Sequence, residues 1–171
     1  MKVFKKKIFF LDRDGVIIKD IGHLDNIKKI SFLPETFKTL KYIIKKKYKI
    51  IIITNQSVVG RGTISEFHLK KIHIFIRNIL SKKKIKILKI YYCPHHPEYG
   101  LGKYKRKCKC RKPKNYFLEK AIKKFKIDRK SSFFIGDKQT DKICAKKSKI
   151  KFLFRSKNNF YKQIFKKINL L

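Results

Sequence analysis

The sequence predicts a three-layer α/β domain in which helices cover both faces of a largely parallel sheet. The first observation is a continuous β-branched run at 48–53, as expected for a strand buried on both faces. The second is the regular alternation of such runs with amphipathic helical patterns along 171 residues. Alternation of this kind implies right-handed crossover connections. Since no internal repeat or low-complexity linker divides the chain, we expect one domain over 1–171.

Each element is supported by its own pattern. The first predicted helix has a proline suited to its N-terminal turn and apolar residues at helical spacing, and the second opens at Ser65 and Glu66. The expected face of that second helix is Leu69, Ile72, Ile76 and Ile79. The predicted strands are 9–11, 48–53, 86–92, 131–135 and 149–154. The first helix is predicted at 34–46, and three helices follow the second one, at 115–125, through Ala145 and at the C-terminus.

Composition excludes a disordered chain, because 43% of residues are hydrophobic and 15 are Phe. The formal net charge of +37 suggests a nucleic-acid partner. Lysine, however, is spread over every segment, and Ile and Lys replace Leu, Val, Ala and Arg, a pattern typical of A+T-rich codon usage. Both explanations remain open, with the compositional one favoured, so we expect no specific nucleic-acid partner.

The N-terminal apolar run is cut by Asp12 and is too short for the apolar region of a signal peptide. No stretch approaches the length of a membrane span. We therefore expect a cytoplasmic protein that does not bind membranes, and we expect it to be a monomer.

Two carboxylates follow the first predicted strand directly. Asp12 and Asp14 are two residues apart, so in an extended chain they point to the same side. A hard divalent cation such as Mg²⁺ would relieve their repulsion and binds carboxylates readily. The alternative is a polar turn after a strand, which the Asp-Gly pair favours by itself.

Other polar groups stand where later elements end. Thr54, Asn55, Gln56 and Ser57 follow the second strand and are suited to a phosphate cradle or to a simple turn, and Asp137 follows the fourth strand. Parallel strands end at one edge of a sheet, so these groups should converge there.

The loop 93–110 is long for a compact domain and has metal-ligand spacing. Three thiolates and one imidazole form a closed structural zinc site, here Cys93, Cys108, Cys110 and either His95 or His96, with His95 preferred. A disulfide is the weaker alternative, and Cys144 is expected to be a buried small residue. Arg111 and Lys112, directly after the last cysteine, would be fixed near the same sheet edge.

The motifs DRDG, TNQS, RKP and GDKQTD together resemble the haloacid dehalogenase (HAD) superfamily of phosphatases. With CPHHP and CKCRKP, the chain is most similar to the heptose bisphosphate phosphatases, over roughly 8–150. The resemblance implies a HAD-like, Rossmann-like sheet with a minimal cap, in which the zinc-bound loop replaces a large cap domain. Zinc is then structural.

The resemblance also implies roles for individual residues. Asp12 would be the nucleophile and Asp14 the acid and base, while Thr54 and Lys112 would hold the transferring oxygens. Mg²⁺ would be bound by Asp12, the backbone carbonyl of Asp14, and Asp137. The implied substrate contacts are Asp20, Gly22, His23, Asn55, Gln56, Ser57, Arg111 and Lys138.

The implied activity is Mg²⁺-dependent removal of the C7 phosphate of heptose 1,7-bisphosphate, a small-molecule substrate, in lipopolysaccharide core biosynthesis. Histidinol-phosphate phosphatases share the zinc loop and often have a threonine where this chain has Thr140. The sequence GRG at 60–62 after TNQS instead resembles the heptose enzymes. A nucleic-acid 3′-phosphatase on the same fold would account for both the motifs and the positive charge. A nonenzymatic nucleic-acid-binding protein would account for the charge alone.

Overall fold

The computed structural model describes residues 5–170. Its centre is a sheet of five parallel strands in the order β3-β2-β1-β4-β5. The strands are β1 (Ile8–Leu11), β2 (Lys49–Asn55), β3 (Ile87–Cys93), β4 (Phe133–Gly136) and β5 (Lys151–Phe154). The start of the basic N-terminal segment lies outside the described residues.

Helices cover both faces of this sheet, so the predicted three-layer architecture is confirmed. The helices are α1 (Thr36–Lys45), α2 (Ser57–Gly60), α3 (Glu66–Lys82), α4 (Tyr116–Phe125), α5 (Gln139–Lys147) and α6 (Phe160–Asn169). Two short 3-10 turns, Ile27–Lys29 and Gly102–Tyr104, lie in the connections. In the described part of the chain no helix is long and apolar enough to cross a membrane.

The side chains of β1 alternate between two hydrophobic layers. Phe9 and Leu11 belong to the layer that includes residues of α1, α3 and α6, whereas Ile8 and Phe10 belong to the layer with α4 and α5. All four are fully buried. At about 1.5–3 kcal/mol for each buried side chain, this short strand contributes strongly to stability.

The structure differs from the predictions in several places. Ser57, predicted to belong to a phosphate cradle or a simple turn, begins the short helix α2. In α3, the buried residues include His73 and Leu80, whereas Ile79 is only partly buried. Positions 79 and 80 both fit an apolar face at i+3 and i+4 spacing, so periodicity alone does not separate them. The fourth strand begins at Phe133, two residues later than predicted.

The strand register brings the predicted site residues to one edge. Leu11 is paired with Ile52 on one side and with Ile135 on the other. The residues that follow these three positions therefore lie at the same level, toward the carboxyl edge of the sheet. The chain order reverses here, since β1 has β2 on one side and β4 on the other, and such a switch point is where open α/β sheets bind ligands.

Candidate active site

A buried lysine lies at the centre of this edge. Lys112 is 3% exposed, and its Nζ lies 2.7 Å from Oδ2 of Asp12 and 2.6 Å from Oδ1 of Asp141. The same Nζ donates to the carbonyl of Ile53 at 3.1 Å. Burial acts to lower the pKa of Lys112, but the two carboxylates outweigh it and hold the pKa above its ordinary value. Lys112 is therefore a charged donor at the nucleophile candidate Asp12.

Lys112 is positioned through its backbone by the end of β2. The side chain of Asn55 donates to the Lys112 carbonyl at 3.1 Å and accepts from the Lys112 N–H at 3.0 Å. The following Lys112–Pro113 peptide is cis. Asn55 lines the cavity as predicted, but its amide group is engaged by this pair of hydrogen bonds.

Three carboxylates form a cluster beside Lys112. Oxygens of Asp12, Asp137 and Asp141 lie within 4.8 Å of one another. Burial, and then repulsion from Asp12, raise the pKa of Asp137 to about 6. Its Oδ1 is buried without a hydrogen-bond partner among the described residues. Clustered carboxylate oxygens with one uncompensated atom are suited to a hard cation such as Mg²⁺, so the donor set fits the expected metal.

Asp141 was not among the residues predicted for the site. It is fully buried, and its Oδ2 accepts from the backbone N–H groups of Asp137, at 3.3 Å, and Lys138, at 3.1 Å. The signal was present in GDKQTD, because the second Asp of that motif follows the first by four residues, about one helical turn.

The glycine of DRDG allows this close approach. Gly15 has φ +72, which disfavours other residues, and a Cβ at this position would collide with the carboxylate of Asp137. The turn after β1 can therefore contact the end of β4 only with glycine at position 15.

Asp14 has different neighbours from Asp12. Its carboxylate accepts from Nε and Nη2 of Arg13, at 3.0 and 2.9 Å, and from Nε2 of Gln56 at 2.7 Å. Gln56 also donates to Oγ1 of the buried Thr54 at 2.9 Å. The amide of Gln56, predicted to contact substrate, thus links the two candidate catalytic groups Asp14 and Thr54.

A cavity of about 390 Å³ opens over these residues. Seven of the eight predicted substrate contacts line it, whereas His23 is exposed and lies outside the lining. The lining residues are Asp12, Asp14, Asp20, Gly22, Thr54, Asn55, Gln56, Ser57, Val58, Arg111, Lys112, Pro113, Lys138 and Thr140.

An ion pair joins two sides of this cavity. Nζ of Lys138, just after β4, lies 2.7 Å from Oδ2 of Asp20 in the segment that follows β1. Although burial acts to raise it, the pKa of Asp20 is lowered by its contacts with Lys138 and with the N–H of Gly22. This contact connects the segment around Asp20 to the end of the sheet.

The cysteines of the loop after β3 form a compact cluster with one histidine. The ligand atoms of Cys93, Cys108, Cys110 and His95 all lie within 4.8 Å of one another. Five of the six separations among the three Sγ atoms and the Nδ1 of His95 are 3.1 to 3.7 Å. A tetrahedral zinc site with Zn–S bonds of about 2.3 Å has edges of about 3.8 Å, so a shift of a few tenths of an ångström would admit the ion. The donor set and its geometry fit zinc.

The structure distinguishes the two histidines of this loop. Nδ1 of His96 instead accepts from the backbone N–H groups of Glu98 and Tyr99, at 3.2 and 3.1 Å. His95 is thus the histidine that the fold brings to the cysteines. Its carbonyl accepts from Nη1 of Arg111 at 3.2 Å, which connects the cluster to the cavity wall.

The remaining cysteine has the predicted character. Cys144 is buried, and burial raises the pKa of its thiol to about 12. It donates to the Lys114 carbonyl at 3.3 Å.

Comparison with known proteins agrees with this geometry. Residues 7–164 match the family model described as polynucleotide kinase 3 phosphatase. The chain is 42% identical to a D-glycero-alpha-D-manno-heptose-1,7-bisphosphate 7-phosphatase of Photorhabdus laumondii, over 80% of this chain and 75% of that protein. It is 38% identical to a D-glycero-beta-D-manno-heptose-1,7-bisphosphate 7-phosphatase of Pasteurella multocida, over 85% and 79%.

Solved structures give the same fold. A HAD-like phosphatase from Mesorhizobium loti has a TM-score of 0.80 at 23% identity, covering 85% of this chain and 70% of that one. A D,D-heptose 1,7-bisphosphate phosphatase from B. bronchiseptica, complexed with magnesium and phosphate, has a TM-score of 0.77 at 19% identity, covering 96% and 99%. The chain therefore belongs to the polynucleotide kinase 3 phosphatase family and to the same family as these heptose bisphosphate phosphatases, and it has their HAD-like fold.

Proposed function

We propose that this protein hydrolyses the C7 phosphate of D-glycero-D-manno-heptose 1,7-bisphosphate through a phosphoryl-enzyme intermediate on Asp12. The observation that carries the proposal is the contact of Asp12 with the buried cation Lys112 at the floor of a polar cavity. The substrate is taken from the names of relatives that are 42% and 38% identical over most of the chain.

In the first step, a carboxylate oxygen of Asp12 attacks phosphorus and the bond from phosphorus to the sugar oxygen breaks. The electron pair of that bond goes to the sugar oxygen, which takes a proton from Asp14. Lys112 and Thr54 donate to the phosphoryl oxygens as charge develops on them. The covalent intermediate divides one difficult displacement into two easier steps.

In the second step, the oxygen of a water molecule attacks the phosphorus of the aspartyl phosphate and gives a proton to Asp14. The bond from phosphorus to Asp12 breaks, which releases inorganic phosphate and returns the carboxylate. Asp14 thus ends protonated, as it began. Gln56, 2.7 Å from Asp14 and 2.9 Å from Thr54, would hold both side chains in place during this exchange.

Asp12, Asp137 and the Asp14 backbone carbonyl would bind Mg²⁺, with Asp141 beside them. When bound, this ion neutralises phosphate charge and offsets the repulsion among the carboxylates. Zinc on Cys93, His95, Cys108 and Cys110 would be structural, because four protein ligands leave no open position.

The second phosphate of the substrate would be bound at the cavity wall. Among the described residues, Arg111 donates to the His95 carbonyl through Nη1, and a planar guanidinium suits bidentate phosphate binding. Lys138, which also lines the cavity and is paired with Asp20, offers a second positive charge. These two cations favour a bisphosphate over a monophosphate.

A comparison of three substrates tests the proposal. Phosphate release from both anomers of heptose 1,7-bisphosphate, from histidinol phosphate and from a 3′-phosphorylated DNA strand is measured with Mg²⁺. We expect kcat/KM to be highest for a heptose bisphosphate and to fall at least about 10³-fold in Asp12→Asn, since the nucleophile is lost. Asp25→Asn, which changes a carboxylate outside the cavity, is the matched control.

Three outcomes contradict parts of the proposal. Full turnover in a folded Asp12→Asn protein removes Asp12 as nucleophile. A higher kcat/KM for histidinol phosphate reassigns the substrate within the same chemistry. A preference for the 3′-phosphorylated strand would instead favour the activity in the name of the matching family, for which the charge of +37 is the supporting observation.

A further inference from the structure

Asp14 is held by an arginine that does not line the cavity. Arg13 is 1% exposed, although its guanidinium is permanently charged. Its Nε and Nη2 donate to the two different oxygens of Asp14, at 3.0 and 2.9 Å. A two-pronged contact of this kind fixes the plane of the carboxylate as well as its distance.

The third nitrogen of this guanidinium contacts a histidine of α3. Nη1 of Arg13 lies 3.1 Å from Nε2 of His73. Arginine has no acceptor, so Nε2 of His73 must carry the lone pair and Nδ1 the proton. Burial, followed by the charges of Arg13 and Arg77, lowers the pKa of His73 to about 3, so the ring is neutral at physiological pH.

An apolar residue at position 73 could be buried at a lower cost in free energy. His73 is 7% exposed, in a helix whose other buried residues are Leu and Ile. Its ring lies tilted against that of Tyr92, with the ring centroids 5.5 Å apart. Burying an imidazole costs free energy unless it has a partner, and within the described residues that partner is Arg13. The polar atom is therefore better explained by what it does to Arg13 than by packing.

We propose that His73 is a positioning residue for the reaction proposed above, because by accepting from Arg13 it fixes the guanidinium that aligns Asp14 with the leaving oxygen. The inference rests on the proposed phosphatase function. His73 touches neither substrate nor reacting atoms, and its effect reaches them through Arg13 and Asp14.

The role has a signature that depends on the leaving group. A sugar alcohol leaves poorly unless Asp14 protonates it, whereas p-nitrophenolate leaves without a proton. The constant kcat/KM includes only steps up to the first irreversible one, the cleavage of the ester bond. A misaligned Asp14 should therefore lower kcat/KM for the sugar phosphate and spare that for p-nitrophenyl phosphate.

His73→Phe keeps the ring and removes the acceptor. We expect kcat/KM for heptose bisphosphate to fall at least about 10-fold, part of the effect of losing a general acid, and that for p-nitrophenyl phosphate to change less than about twofold. His73→Gln, whose amide oxygen can accept from Arg13, should recover most of the loss. His68→Phe, at an exposed histidine of the same helix, should change neither value.

Equal loss on both substrates, or no loss on either, overturns the proposal. If His73→Phe does not give a cooperative melting transition, His73→Leu replaces it, because leucine likewise has no acceptor for Arg13, and the same two outcomes then decide. Asp12→Asn tests the proposed function separately and should abolish turnover of both substrates. If wild-type protein hydrolyses p-nitrophenyl phosphate but no heptose bisphosphate, the substrate assignment fails. The His73 variants are then measured on whichever alkyl phosphate the three-substrate comparison shows to be preferred, since that substrate also has a poor leaving group.

Discussion

At the scale of single residues, Lys112 combines a structural role with the proposed chemical one. One buried ammonium compensates Asp12 and Asp141, both of which are buried as well. Carboxylates in such a setting repel each other unless a cation lies between them. The residue proposed to hold the transferring phosphoryl group therefore also compensates the buried carboxylates of the free protein.

We expect Lys112→Met to destabilise the metal-free protein by about 3–5 kcal/mol at neutral pH, since it leaves buried charges uncompensated. The free energy of unfolding is measured by urea denaturation in EDTA. Burial already raises the pKa of Asp141, so protonation should relieve part of the repulsion and the loss should be smaller at acidic pH. Mg²⁺ should also reduce the loss.

Lys114→Met is the matched control, because Lys114 is an exposed lysine two residues away. It should change the free energy of unfolding by no more than about 0.5 kcal/mol. If Lys112→Met also changed the free energy of unfolding by no more than this at every pH, Lys112 would not be what compensates the charges of Asp12 and Asp141.

At the scale of elements, the loop after β3 connects the cysteine cluster to the cavity. Cys110 belongs to the cluster, and the next two residues are Arg111 and Lys112, which line the cavity. Gly60 at the end of α2 has no room for a Cβ because the carbonyl of Pro94 is in contact with it. The loop is thereby held at its cysteine cluster, at α2 and at β2.

Cys108→Ser should lower the zinc content from about one ion per chain and lower the melting temperature by several degrees, because a serine hydroxyl is a poor zinc ligand. Zinc is measured by atomic emission and melting by circular dichroism. Activity should fall indirectly, as the position of Lys112 is loosened, while Mg²⁺ dependence is retained.

Cys144→Ser is the control, since Cys144 lies outside the cluster and should leave the zinc content unchanged. Unaltered zinc stoichiometry in Cys108→Ser would remove Cys108 from the ligand set.

At the scale of the whole molecule, charge and site indicate different partners. The net charge of +37 attracts any polyanion, whereas the cavity has a volume suited to a small molecule. We expect RNA affinity to fall steeply between about 50 and about 200 mM salt and to show no base preference, because counterion release drives such binding. Fluorescence anisotropy with two RNAs of different sequence measures both properties. Base-selective binding at physiological salt would contradict this expectation.

The sequence was informative about this molecule where short motifs mark the ends of strands, although it missed Asp141. Alternating patterns located the five strands, and the short motifs located Asp12, Lys112 and Asp137 at one edge. His73 could not be found in this way, since it lies 60 positions from Arg13 and looks like one more residue of an amphipathic helix. Gln56 was predicted to contact substrate, and its hydrogen bond to Asp14 is seen only in the folded structure. Contacts made across the fold between distant segments are not encoded in any local spacing.

The paired hydrogen bonds between Asn55 and Lys112 have a consequence for how the chain can vary. They fix the backbone of Lys112, near the end of the long loop that follows β3, to the end of β2. Of the loop residues before Lys112, those outside the cysteine cluster can therefore vary with less effect on the ammonium group than the cluster residues themselves. The hydrogen bonds to Asn55 keep the backbone of Lys112 at the end of β2.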